Sequence, residues 1–156
     1  MKILGIDTGL NYTGWGIINV VNSSVQFVDC GIIHPSNKNS DSVRLHTIYD
    51  GLKQVITDFT PDVVAIEETF VNNNPRSALK LGYARGVALM IPAIYDLSVF
   101  EYSPTTIKKT VAGNGHADKE QVKAMLKFVM PNIKDMKDDA IDALSIALCH
   151  GYHKHL

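Results

Sequence analysis

Four acidic residues in this chain close apolar segments, where a carboxylate needs a reason to be. Asp7 ends the run Lys2-Ile3-Leu4-Gly5-Ile6, and Glu67 ends Val63-Val64-Ala65-Ile66. Asp139 and Asp142 lie three apart on a late amphipathic stretch. A carboxylate near a core is costly unless another charge offsets it. Lys2 is the one base within a few positions of Asp7, and none stands that near Glu67. Acids of this kind imply a hard divalent cation with oxygen ligands, and that is the chemistry of metal-assisted phosphate-ester cleavage. Two bare carboxylates about 4 Å apart repel by roughly 4 kcal/mol at an effective dielectric of about 20, a penalty that a dication removes. Spacing leaves alternatives open. Asp138 shares a helix face with Asp142 at i,i+4 as Asp139 does at i,i+3. Glu68 competes with Glu67, although strand alternation sends the two to opposite faces. The plain alternative is that the helix acids are solvated and that Asp7 caps a turn.

The elements that must position these acids are legible from periodicity. Residues 2–8, 13–20 and 24–34 read as three strands in an antiparallel meander. Leu45, Ile48, Leu52, Val55, Ile56 and Phe59 recur at three- and four-residue steps, so 41–59 is a helix with one buried face. It is capped by Ser40 or Asp41 and stopped by Pro61. Residues 62–68 form a central strand, able to pair in parallel with an earlier one because a helix intervenes. A helix over 76–95 follows, with Gly82 and Gly86 on one side and Pro92 expected to kink or end it. Residues 98–102 form a fifth strand, and 104–112, 118–130 and 137–152 three more helices. The layout is α/β, a five-stranded mixed sheet flanked by helices. In such sheets ligands gather at strand C-terminal ends, where Asp7 and Glu67 sit.

The chain of 156 residues carries a formal net charge of −1, which argues mildly against a nucleic-acid binder. The distribution says otherwise. From Arg76 to Lys127 eight bases face four acids, so one segment is basic while the remainder is acidic. Cys30 and Cys149 show neither metal-ligand spacing nor a disulfide pattern. The N-terminus lacks a long apolar signal segment and no run is long enough to span a bilayer, so a cytoplasmic protein of one domain, residues 1–156, is expected.

Longer blocks then become informative. Ile-Leu-Gly-Ile-Asp-Thr-Gly at 3–9, Ala-Ile-Glu-Glu-Thr-Phe at 65–70 and Ser-Ala-Leu-Lys-Leu-Gly-Tyr-Ala-Arg-Gly-Val-Ala at 77–88 resemble the RuvC family of bacterial Holliday-junction resolvases. Phe-Glu-Tyr at 100–102, Ala-Asp-Lys-Glu-Gln-Val at 117–122 and Asp-Ala-Ile-Asp-Ala-Leu-Ser-Ile-Ala at 139–147 extend the match in order over nearly the whole chain. The resemblance implies a single RNase H-like nuclease domain and a homodimer. It implies Mg²⁺-dependent, paired symmetric nicking of four-way junction DNA in homologous recombination and repair. Two Mg²⁺ per site, with Mn²⁺ as a substitute, and a branch-migration complex of RuvA and RuvB as partner belong to the same expectation. By position the family's metal-binding acids fall on Asp7, Glu67, Asp139 and Asp142. Phe70 matches the aromatic that meets bases near the junction centre, and Lys108 and Lys119 match basic residues near the scissile phosphate. Thr8 stands where the family usually has Pro.

Further candidates are weaker. Phe70 precedes the loop Asn72-Asn73-Asn74-Pro75, where an exposed ring can stack on a base. Lys108 and Lys109 follow two threonines at a helix start, suited to phosphate contacts. Lys119, Lys123 and Lys127 form a basic stripe that is equally consistent with a solvated face. Among Arg76, Lys80 and Arg85, Arg76 is favoured because it abuts the loop. His116 could touch the phosphate or a metal, against the commoner reading of an inert loop residue, and His150, His153 and His155 faintly resemble a metal tract, against the commoner reading of frayed-tail residues. Three rivals remain. A two-domain actin-like ATPase needs a longer chain. A non-catalytic junction-binding relative would not need all four acids. A generic RNase H-like nuclease would differ in substrate.

Overall fold

The computed structural model describes residues 1–69, 74–133 and 136–155. Strands β1 (Lys2–Asp7), β2 (Thr13–Val21) and β3 (Ser24–Ile33) come first, then helix α1 (Asp41–Phe59). β4 (Val63–Glu67), α2 (Pro75–Ile94) and β5 (Ser98–Tyr102) follow, and α3 (Pro104–Ala112), α4 (Lys119–Val129) and α5 (Asp138–His155) complete the chain. The sheet order is β3-β2-β1-β4-β5. β1 pairs antiparallel with β2 and parallel with β4, and β4 pairs parallel with β5. The expected meander and five-stranded mixed sheet are what forms.

Strand alternation splits the core into two layers. Leu4, Ile6, Ile17, Val64 and Ile66 pack with α1 and α2 on one face. Ile3, Ile18, Val63 and Ala65 pack with α3, α4 and α5 on the other. Fully burying one such aliphatic side chain contributes about 1.5–3 kcal/mol. α2 begins where Asn74 accepts from the main-chain N–H groups of Arg76 and Ser77, with Pro75 in the first turn, where it costs no hydrogen bond. Pro92 falls in the last turn, and its carbonyl accepts from Tyr95 and Leu97 as the helix stops. It therefore ends α2 without breaking its middle. α5 runs past the expected 152 to His155. His150 is buried, with Nδ1 2.8 Å from the Tyr102 hydroxyl. The expectation of a frayed tail fails at His150, because apolar α5 residues carry it into the core. Among the described residues no helix is long and apolar enough to cross a membrane.

Candidate active site

Register brings the four acids together. Ile3, Gly5 and Asp7 alternate onto the α5 face of β1, and Val63, Ala65 and Glu67 onto the same face of β4. Gly5 pairs with Ala65 in the parallel ladder, so Asp7 and Glu67 occupy the next same-face positions on adjacent strands. The helix acids arrive through a seam of small residues. Asp7 pairs with Gly14 of β2. A Cβ at Gly14 would overlap the main-chain oxygen of Asp139, and one at Gly5 would overlap that of Ala143. The first turns of α5 therefore rest on the sheet backbone itself, with fully buried Ala143 and Ala147 on the helix side. Asp142 follows one turn along from Asp139, on the side toward β4.

The electrostatics follow from this placement. Burial first, then the charges of Asp142, Glu67 and Asp139, push Asp7 from 3.8 up to about 7, with Lys119 opposing. Burial and Asp142 raise Glu67 while Lys108 lowers it. Burial raises Asp142, Asp138 and Asp139 add to the rise, and Lys119 and Lys108 oppose it. Asp138 is exposed and sits 3.9 Å from Lys119. It is the outer member of the acidic group, and Asp139, which acts on Asp7, the inner one.

Lys108 and Lys119 form the opposite wall. Together with Glu67 and Asp142 they line a cleft of about 220 Å³, floored by Ile107 and Val122. Helix caps fix both lysines. The Ser103 hydroxyl accepts from the N–H of Thr106 at 3.2 Å to start α3. Asp118 and Gln121 exchange side-chain bonds with each other's N–H groups at 2.9 and 3.0 Å to start α4, a capping box. The cleft thus sets carboxylates against ammonium groups across a space open to a phosphate.

The donor set fits a hard dication. Among the described residues none of the four acids has an ion-pair partner within 4.0 Å, and the burial penalty on Asp7 exceeds the opposing charge of Lys119, which acts from longer range. Among the described residues no three acidic, histidine or cysteine side chains are already gathered into a metal-holding group. The acids act on one another electrostatically without forming such a group.

The remaining candidates separate. Phe70 lies outside the described residues. Arg76 is exposed in the first turn of α2, and no hydrogen bond or ion pair among the described residues ties it to the acids. Arg85 turns inward. Its Nη1 donates to the Glu67 carbonyl at 2.8 Å, and its Nη2 pairs with Glu101. It thereby ties the end of β4 to α2 and β5, a positioning role that helical spacing alone did not reveal. Gly14 was also missed. Its importance depends on lying opposite Asp7, which requires the register. His116 is exposed, and its N–H donates to Asn114.

The profile of the family described as Crossover junction endodeoxyribonuclease RuvC matches residues 3–150. RuvC from Paramagnetospirillum magneticum (strain ATCC 700264 / AMB-1) is 49% identical over 154 residues, 99% of this chain and 93% of that one. RuvC from Methylorubrum extorquens (strain PA1) is 46% identical over 154 residues, 99% of this chain and 82% of its own length. Among solved structures, T. thermophilus RuvC in complex with Holliday junction substrate superposes with a TM-score of 0.92 at 29% identity, covering 98% of this chain and 94% of that one.

Proposed function

The chain belongs to the RuvC family of crossover junction endodeoxyribonucleases, and from that premise we propose that Asp7, Glu67, Asp139 and Asp142 are its catalytic and metal-holding carboxylates. The observation that carries this assignment is the register that sets Asp7 and Glu67 at same-face ends of adjacent strands, with the α5 turn of Asp139 and Asp142 seated on Gly14 and Gly5 beside them. Four acids on two strand ends and one helix favour a nuclease over a non-catalytic junction-binding relative. The substrate is four-way junction DNA, as in the T. thermophilus RuvC complex, rather than the hybrid duplex of a generic RNase H-like nuclease.

The cofactor of this reading is Mg²⁺, two ions held by the four carboxylates, with Mn²⁺ as a substitute; when bound it supplies charge to a water nucleophile and to the leaving oxygen. The chain's own residues do the rest. Asp7, raised to about 7, must lose its proton before it can serve as a ligand, and burial and the Asp142 charge raise Glu67 in the same direction. Arg85 holds the Glu67 main chain in place. Lys108 and Lys119 face the acids and oppose the negative charge of the scissile phosphate. Arg76, exposed in the first turn of α2, contacts the junction backbone, and Phe70 is the aromatic residue of this reading that meets bases at the junction centre.

Paired symmetric nicks need two sites, hence a C₂ homodimer. The outer face of α2 supports it: Leu79, Tyr83, Met90 and Ile94 are exposed, and nothing lies within 4 Å of a Cβ built on Gly82 or Gly86. Sedimentation at micromolar concentration should give twice the chain mass, and a monomer there overturns the dimer. The reading places the enzyme in the cytoplasm, in homologous recombination and repair, with RuvA and RuvB on the junction. Co-retention with a RuvA–RuvB–junction assembly tests that partnership. The decisive experiment is cleavage of a synthetic four-way junction. Wild type should nick two strands only with divalent metal, and Asp7→Asn should not; equal cutting by both refutes the carboxylate assignment.

A further inference from the structure

A second cleft, of about 320 Å³, lies on the α1–α2 face of the sheet. There Leu10 and Asn11 of the β1–β2 turn meet Arg44 of α1 and Ser77, Lys80 and Leu81 of α2. Arg44 is only 6% exposed. Its Nη2 donates to the Leu10 carbonyl at 3.1 Å and to Oδ1 of Asn11, its Nη1 stands 3.7 Å from Asp41, and its Nε is buried with no hydrogen-bond partner among the described residues. Lys80 reaches the same Asp41 oxygen at 3.6 Å. Two cations thus share one partly exposed carboxylate, and the cleft keeps a net positive charge. A buried guanidinium with half a counter-ion is costly unless a further anion completes its charge, a task that falls to its Nη groups and Lys80 because Nε is closed to solvent. The cleavage chemistry uses none of these groups.

The turn that forms one wall is held from several sides. The Thr13 hydroxyl donates to the Gly9 carbonyl at 2.7 Å. His34 Nδ1 lies 2.8 Å from the Asn11 carbonyl, and the exposed Tyr12 ring stacks on His34 with centroids 4.3 Å apart. Such preorganisation lowers the ordering cost of binding. Asn11 is four residues beyond Asp7. At 3.3–3.6 Å per residue that is no more than about 14 Å of chain, so the cleft lies within reach of DNA engaged at the acids.

We infer that the Arg44–Lys80 cleft is a phosphate subsite, which takes a backbone phosphate of the junction DNA other than the scissile one. Arg44 and Lys80 supply charge, and the Ser77 hydroxyl is a further donor. Arg is suited to this task because its planar fork matches phosphate oxygens, and Arg44 is already oriented by its bonds to the turn. The inference rests on the proposed function for its substrate.

The test avoids Arg44→Gln, which leaves a hole in the buried turn, and uses Lys80→Gln, whose side chain is 42% exposed in the native chain. Junction affinity is measured in chelator, so that no strand is cut, across a salt series. Neutralising one phosphate contact should flatten the slope of log affinity against log salt by about 0.9. Junctions carrying single neutral methylphosphonate linkages are then compared. Wild type should lose affinity several-fold at one linkage away from the cut, and Lys80→Gln should lose much less there. An unchanged salt slope, or equal sensitivity of both proteins at every linkage, overturns the subsite. Failure of wild type to select or cut four-way junctions would instead overturn the parent reading. The same two readouts on duplex DNA would then still judge the cleft.

Discussion

Asp7→Asn should make the metal-free protein more stable while destroying its activity. The reason is the proton balance of a buried acid. Asp7 goes from 3.8 to about 7 on folding. Below the lower value both states are protonated and the group is neutral to stability. Between the two values the unfolded chain ionises while the folded one holds its proton, so stability falls as pH rises. Above about 7 the penalty is complete. At about 1.36 kcal/mol per unit, a rise of roughly three units costs about 4 kcal/mol at pH 8. Relaxation of the cluster trims this, so about 2–4 kcal/mol is expected. Asn keeps the shape and removes the charge. In chelator at pH 8 the variant should melt roughly 5–15 °C above wild type, at about 2–4 °C per kcal/mol for a chain of this size. At pH 5 the gain should shrink by more than half. Saturating divalent metal should raise wild type and narrow the gap. Differential scanning calorimetry on both proteins provides the assay. An Asp7→Asn variant no more stable than wild type at pH 8, or one whose advantage is the same at pH 5, refutes the view that the acids strain the apo fold.

Gly14→Ala should displace the first turn of α5, because the new methyl meets the main-chain oxygen of Asp139. Overpacking of this kind costs about 1–3 kcal/mol, and junction cleavage should fall by about 100-fold for a displacement near 1 Å. Wild-type cleavage by this variant would show that the contact does not place Asp139. Lys119→Gln should move the acidic limb of the cleavage pH profile upward, because Lys119 lowers both Asp7 and Asp142. A uniform drop in rate with the limb unmoved would confine Lys119 to binding phosphate.

Local pattern carried much of the fold. The three-to-four spacing from Leu45 to Phe59 marked α1, and the apolar run before Glu67 marked a strand with a helix on each side. These signals are local, and each is reinforced by the burial it produces. The site was legible for its acids, since a carboxylate at an apolar strand end is unusual however the strands pair. What stayed hidden depends on pairing. Gly14 matters only because β2 sets it opposite Asp7, and Arg85 only because α2 crosses the end of β4. Arg44 is a similar case. It sits inside the buried face of α1, where sequence shows an ordinary polar interruption and structure shows a cation aimed at a turn. His150 is the converse, a polar residue among other histidines that the last turns of α5 carry into the core.

The bare backbone contact between α5 and the sheet works as a mechanical stop. It has two touching points, at Asp139 and Ala143, about 6 Å apart along the helix at 1.5 Å per residue. Asp142 lies between them. If packing elsewhere tilts the helix by about 5°, a residue one turn from the stop moves by less than about 0.5 Å, while His155, some 24 Å away, swings by about 2 Å. Wear and drift in the rest of the core are thus thrown toward the distant end of the lever, and the acid-bearing end stays in register.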